Sequence, residues 1–281
     1  MKQNNNNTWI SWNENLKHNY EKIYSVSSEE ELREVIASNE KIRFFGSKQS
    51  SADIAAGTDA LIDMTSYNKI VSYDYNRRTI TVQSGIILSE LLEAIESVGW
   101  CIPCLPDINT ITIGGALATG THGTSGKLLC EYMTECRLIL ADGSIKTIDK
   151  DNKLMDAVRV SLGMLGVMST VTFQCEPEYI LHVKEKPEND KEWLPKIKSR
   201  LKEHNFLRIL WLPHTDTGYV ITGDKIDSNK EIVENQGPKY LKHRRTVSKI
   251  LYKYSHKFPW ITAIANKIIA KAFFNSKKEH K

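Results

Sequence analysis

Nowhere in the chain does an uninterrupted apolar run reach the ~18 residues that an ordinary membrane-crossing helix needs. The N-terminal segment MKQNNNNTW is a polar asparagine run with no apolar stretch behind it, so a secretory signal is not expected and the predicted location is the cytoplasm. Cysteine is scarce and odd in number: Cys101, Cys104, Cys130, Cys136 and Cys175 are too few for a disulfide scaffold and fit reduced thiols. Cys101-Ile-Pro-Cys104 has the spacing of a redox or zinc pair. It opens no helix and has no second ligand pair at matching spacing, so these side chains are expected to pack as small apolar groups, and no metal site is expected.

Two nucleotide signatures are missing as well. There is no Gly-x-x-x-x-Gly-Lys-Ser/Thr, which excludes a P-loop, and no Gly-x-Gly-x-x-Gly after a first strand, which argues against a dinucleotide fold of the Rossmann type. Carboxylates are missing from one region. From Lys239 to Lys281 there are ten lysines and two arginines against a single acid, Glu279, whereas residues 1–238 carry 26 basic and 33 acidic side chains. The mild net charge of +4 therefore averages an acidic region and a strongly basic one joined near Pro238.

What is present suffices for a folded core: 281 residues, 41% hydrophobic and 26% charged. Ser28-Glu-Glu-Glu31 is a capping box and predicts a helix over residues 28–38. Lys41–Phe45 reads as a strand running into the loop Gly46–Ser51, with short strands over 60–64, 70–73 and 79–82. Helical spacing over 86–98 stops at Gly99. Residues 131–140 and 144–148 flank Ala141-Asp142-Gly143 as a hairpin, followed by a helix over 151–160 and a strand over 167–175. Beyond Pro177 come a strand over 180–183, a helix over 193–204 and two strands around Pro213–Asp216. Strands with few helices and no regular βαβ period indicate an α+β fold.

The densest motif is Thr110-Ile-Thr-Ile-Gly-Gly-Ala-Leu-Ala-Thr-Gly-Thr-His-Gly-Thr124, with four glycines, five threonines and one ionisable side chain. Glycines let a main chain approach a ligand closely, and neighbouring amides and hydroxyls can converge on an anion. The segment therefore reads either as a pyrophosphate cradle or as a buried glycine-rich crossing between packed strands. His122, with an ordinary pKa near 6.5, reads either as a proton acceptor or as a hydrogen-bonding fixture of a tight loop.

This run resembles the flavin-binding segment of the vanillyl-alcohol oxidase/p-cresol methylhydroxylase flavoproteins, in particular their sugar-1,4-lactone (aldonolactone) oxidase branch. Other blocks resemble that branch in order and spacing: Trp9-Ile-Ser-Trp12, Arg43-Phe-Phe-Gly-Ser-Lys-Gln-Ser50, Val82-Gln-Ser-Gly85, Ala141-Asp-Gly143, Ala157–Val167 and Phe206–Thr215. The resemblance implies an FAD-binding domain of two α+β subdomains followed by an α+β substrate domain. It implies domain boundaries at an N-terminal arm (1–18), the FAD-binding domain (19–177), the start of a substrate domain (178–238) and a basic, partly helical segment (239–281). Carried over by position, it assigns Gly46, Ser47, Lys48, Gln49, Ser50, Gly114, Gly115, Thr119, Gly120, Thr121, His122, Gly123 and Thr124 to the cofactor phosphates and Val167 to the adenosine side.

Departures from the branch pattern carry their own expectations. Gln49 occupies the position where many members have the histidine that attaches FAD covalently, and a neutral amide cannot perform that attachment, so a dissociable FAD is expected. Lys48, in place of a glycine, either pairs with a phosphate or hinders the loop. The branch's His-Trp-x-Lys motif is absent, and the substrate domain is expected to be incomplete, with no matched catalytic residue beyond His122. The implied activity is oxidation of a CH–OH group of a sugar lactone or polyol, with oxygen or another acceptor taking the electrons; the alternative is an FAD-binding protein without turnover. The basic segment's apolar stripe over residues 261–274 is expected to pack on the substrate domain, the alternative being an anionic membrane surface. Nucleic acid is not an expected partner, because no binding motif accompanies the charge.

Overall fold

The computed structural model describes residues 2–3, 7–56, 58–226, 258–274 and 277–280. They form two compact units: the first comprises Met1–Gly123 and Lys127–Glu178, the second Thr124–Gly126 and Tyr179–Lys281.

In the first unit, strands β1 (Lys2–Gln3), β4 (Lys22–Ser25), β5 (Ile42–Phe45) and β6 (Ala60–Asp63) make a sheet in the order β1-β4-β6-β5. β4 and β5 both run parallel to β6, and β1 is antiparallel to β4. Helix α1 (Glu29–Ala37) covers this sheet with Leu32, Val35 and Ile36. Its N-terminus is closed as the sequence predicts, since Ser28 Oγ accepts from the Glu31 amide at 3.2 Å, but the Glu31 carboxylate reaches back to the Ser27 amide at 2.8 Å, one residue further than a standard box. The hairpin β2 (Thr8–Ile10) and β3 (Lys17–Asn19) buries Trp9 against Tyr20, Ile23 and Leu61, so these first residues belong to the unit's core and do not stand off as an arm.

Five antiparallel strands make the larger sheet, in the order β11-β10-β12-β8-β7: β7 (Ile70–Asp74), β8 (Thr79–Gln83), β10 (Met133–Ile139), β11 (Ile145–Asp149) and β12 (Val167–Gln174). The latest strand, β12, lies in the middle and buries Val171 and Phe173 completely. The short pair β9 (Trp100–Cys101) and β13 (Glu176–Pro177) adds a ribbon. Helices α2 (Leu88–Glu96), α3 (Ile113–Ala118) and α4 (Met155–Arg159) supply Leu91, Ile95, Ile113, Leu117 and Val158 to the same core. Gly99, at φ +72, ends the turn after α2 where the sequence places a C′ glycine. Glu29 of α1 receives Arg137 of β10 through both carboxylate oxygens, each at 2.8 Å, and Ser169 Oγ of β12 at 2.7 Å, which ties the two sheets together.

The second unit is an antiparallel sheet in the order β15-β16-β14-β17, from β14 (Ile180–Asn189), β15 (Phe206–Trp211), β16 (Thr217–Ile226) and β17 (Lys278–His280). β14 runs six residues past the expected end at Val183. The charged residues Lys184, Glu185, Lys186 and Glu188 lie beyond the expected strand, yet they pair with β16, and Pro187 is tolerated because β17 covers only residues 183–185. The expected helix over 193–204 is divided into α5 (Asp190–Trp193), a 3₁₀ turn (Leu194–Lys196) containing Pro195, and α6 (Ile197–Glu203). Glu188 and Arg200 are buried together, with Arg200 Nη2 at 2.8 Å from both carboxylate oxygens.

Helix α7 (Pro259–Phe273) matches the periodicity of the basic segment, and Phe274 after it stacks on Tyr219 at 5.2 Å. The expected burial of its stripe is only partial: Ile264 and Ile268 are exposed, as is Trp260 just before the stripe, and the helix is apolar around most of its circumference. The remainder of the basic segment, residues 239–257, lies outside the described residues.

Candidate functional site

Sequence-distant segments of the first unit converge on one cavity. Gly46 at the end of β5, Gly114 and Gly115 in α3, Thr119 just after it and Val167 at the start of β12 all line it, together with Arg43, Ser84, Thr112, Leu162 and Gly163. Within the segment that reads as a cradle or a strand crossing, Ile113–Ala118 form a short helix. Ile113, Ala116 and Leu117 have the spacing of a buried helical face, and their packing overrides the poor propensity of two consecutive glycines.

The glycines set how closely the walls meet. A Cβ on Gly46 would lie 1.9 Å from Thr112 Oγ1, and one on Gly114 would lie 3.1 Å from Ser84 Cβ. Several donors are engaged within the protein: the Gly114 amide donates to Ser84 O at 2.7 Å, the Thr121 amide to Ala116 O at 3.0 Å, and Thr119 Oγ1 to Gly115 O at 2.8 Å. Others are buried without a partner. Ser47 Oγ, one residue beyond Gly46, and Ser161 Oγ, one residue before Leu162, have none among the described residues. Of the side chains lining the cavity only Arg43 is ionisable, so no carboxylate opposes an anionic ligand.

The other expected residues lie off the cavity wall. Lys48 adopts φ +58, the left-handed region where glycine is at ease, and its ammonium sits 5.1 Å above the Phe45 ring. Gln49 Nε2 donates to Thr110 Oγ1 at 3.3 Å, and Ser50 Oγ donates to Ala52 O at 3.2 Å. Gly120 is in the left-handed region at φ +68. His122 is exposed, with Nδ1 3.1 Å from Gly123 O, and a Cβ on Gly123 would lie 2.4 Å from Leu105 O. Thr124 belongs to the second unit, its carbonyl accepting from the Leu207 amide at 2.9 Å. Sequence reasoning missed Arg43, Ser84, Thr112 and Gly163. Arg43 had a signal, a lone cation inside the apolar strand Ile42-Arg-Phe-Phe45, whereas Ser84 and Thr112 become wall residues only through tertiary packing.

None of the five cysteines forms a disulfide, and four are buried, as expected of packed apolar groups. Among the described residues no helix is long and apolar enough to cross a membrane.

Comparison with known proteins gives matches in both parts of the chain. A family profile described as FAD binding domain matches residues 21–149, and one described as D-arabinono-1,4-lactone oxidase matches residues 171–281. The chain is similar to the aldonolactone-oxidase branch of the FAD-binding flavoproteins over most of its length. L-gulonolactone oxidase of Mus musculus is 30% identical over 267 residues, covering 92% of this chain and 60% of the relative. A putative D-arabinono-1,4-lactone oxidase of Neurospora crassa is 31% identical over 229 residues, covering 78% of this chain and 41% of that protein. The chain thus spans 60% or less of these flavoprotein relatives. Cholesterol oxidase from Brevibacterium sterolicum shares the fold, with a TM-score of 0.70 at 14% identity over 99% of this chain and 60% of the other. The α+β flavoprotein architecture implied by the sequence is therefore the observed one.

Proposed function

We propose that the cavity of the first unit holds FAD without a covalent bond and that the chain is a flavoprotein oxidoreductase acting on a CH–OH group of a sugar lactone or polyol. The observation that carries this reading is the convergence of Gly46, Gly114, Gly115 and Thr119, all within the segment matching an FAD-binding domain, with Val167 beyond it, on one cavity that lacks carboxylates. The residues fit such a group. Gly46 and Gly114 leave no room for side chains at the closest approach, and the unpartnered Ser47 and Ser161 hydroxyls supply hydrogen bonds beside the wall. Bound there, the flavin supplies a hydride acceptor.

Gln49 stands at the position of covalent attachment and its amide donates to Thr110 Oγ1, so it orients the loop and forms no bond to the ring. Denaturing the holoprotein is expected to release the yellow colour into the filtrate; fluorescence that stays with the denatured chain overturns dissociable binding. The electron acceptor is oxygen or another oxidant, and the substrate domain is the second unit.

A second reading, FAD binding without turnover, is favoured by the placement of His122, which is exposed and off the cavity wall. One measurement separates the two. Anaerobic addition of L-gulono-, L-galactono- or D-arabinono-1,4-lactone bleaches the flavin of an active enzyme, while colour without bleaching supports the binding protein. A third element, contact with an anionic membrane surface, is supported by the exposed Trp260, Ile264 and Ile268 of α7 beside Lys267 and Lys271. Sedimentation with anionic vesicles should then fall steeply as salt rises, and indifference to vesicles overturns it.

A further inference from the structure

A single guanidinium makes up the formal charge of the cavity wall. Arg43 stands on β5, the edge strand of its sheet, and no carboxylate pairs with it among the described residues. Its Nη1 donates to Leu162 O at 3.3 Å, a long bond that occupies one arm of the fork. Leu162 is itself held in the left-handed region at φ +52, with its amide on Ala118 O at 3.1 Å. The carbonyl that steadies Arg43 is thus fixed from the α3 side. The two unpartnered hydroxyls flank this arrangement in the chain, Ser47 next to the cavity-lining Gly46 and Ser161 next to Leu162.

A cation without a carboxylate partner, on a wall without carboxylates and with two unused hydroxyls one residue from wall positions in the chain, is complementary to a phosphate. We propose that Arg43 is the phosphate-pairing residue of the cavity: its free N–H groups hold a pyrophosphate oxygen of the dinucleotide while Nη1 stays on Leu162. The inference rests on the FAD reading above. A guanidinium suits the task, because its planar fork serves the carbonyl and the anion together, which the point charge of a lysine does less well.

The test is titration of the flavin-stripped full chain with FAD, followed by fluorescence quenching, for the wild type, R43Q and R43K over a series of salt concentrations. R43Q should bind about tenfold to a hundredfold more weakly, the loss expected of one hydrogen bond to a charged group. The gap should narrow as salt rises, and R43K, which keeps the charge, should recover most of the affinity. An R43Q chain that binds like the wild type overturns the proposal. So does an equal loss in R43Q and R43K with a gap indifferent to salt, because Arg43 is then only a strut to Leu162. If R43Q does not fold, R43K decides alone: a loss of a few-fold with the wild-type salt slope is expected, and a loss near a hundredfold with a salt-independent gap overturns the assignment. A wild-type chain that takes up no FAD overturns the flavin reading of the cavity itself, an outcome distinct from either variant result.

Discussion

A methyl group at position 46 would lie 1.9 Å from Thr112 Oγ1 and 2.5 Å from Thr112 Cγ2, and Thr112 is buried, so it has nowhere to turn. Gly46→Ala should therefore cost about 2 kcal/mol or more of stability and lower FAD affinity, read by denaturant unfolding and by titration. Close approach of this kind was legible in the sequence as a glycine between an apolar strand and a polar loop; the partner that makes it obligatory, Thr112, was not, since it lies in another loop. The thiols allow a second prediction. Burial pushes both Cys136 and Cys175 up to about 12, so they are held as inert neutral thiols. Alkylation of the native chain near neutral pH, mapped by mass spectrometry, should label the partly exposed Cys101 first and leave Cys136 and Cys175 unmodified until the chain unfolds.

Helix α1 shows how a cap and an ion pair share one helix end. Ser28→Ala removes the hydroxyl that accepts from the Glu31 amide and should cost about 1 kcal/mol. The hydrogen bonds from Arg137, aided by Ser169 and the nearby cations, hold the Glu29 carboxyl below its ordinary value despite the opposing effect of burial. A depressed carboxyl contributes stability that is complete above its unfolded pKa, near 4.3, and that disappears as the pH falls through the lower folded value. Glu29→Gln should thus be destabilised by about 1–2 kcal/mol at neutral pH, and the difference should close in acid. Denaturant midpoints at neutral and acid pH check this. The cap was readable because it is local. The pairing of Glu29 with Arg137 was not, for it spans 108 residues and depends on which sheet faces the helix. The same logic separates α2, legible from Ile87, Leu91, Leu92 and Ile95, from α3, where two glycines obscured a regular buried face. β14 hid its length behind Lys184, Glu185, Lys186 and Glu188, a charged run without apolar alternation.

Two units with separate cores should respond separately to ligand. FAD at 100 times its Kd should add about 2.7 kcal/mol to the unit that holds the cavity, so calorimetry should show one transition moving upward with FAD while the other stays in place. Movement of both together would mean that the units unfold as one. The family, the flavin segment and the order of elements were legible because they reside in contiguous motifs, whereas the cavity is built from segments that meet only after folding. The position of β12 between β10 and β8 has a consequence for how the chain is made. When β8 leaves the ribosome its partner edge has no strand to pair with, and it stays open until Val167–Gln174 has been synthesised, about 90 residues and roughly 5–18 seconds later at ordinary translation rates. Val167 is also a wall of the cavity, so the cofactor site proposed above is incomplete during that interval. A cell making this protein must shelter an exposed sheet edge for seconds before flavin can help to close it.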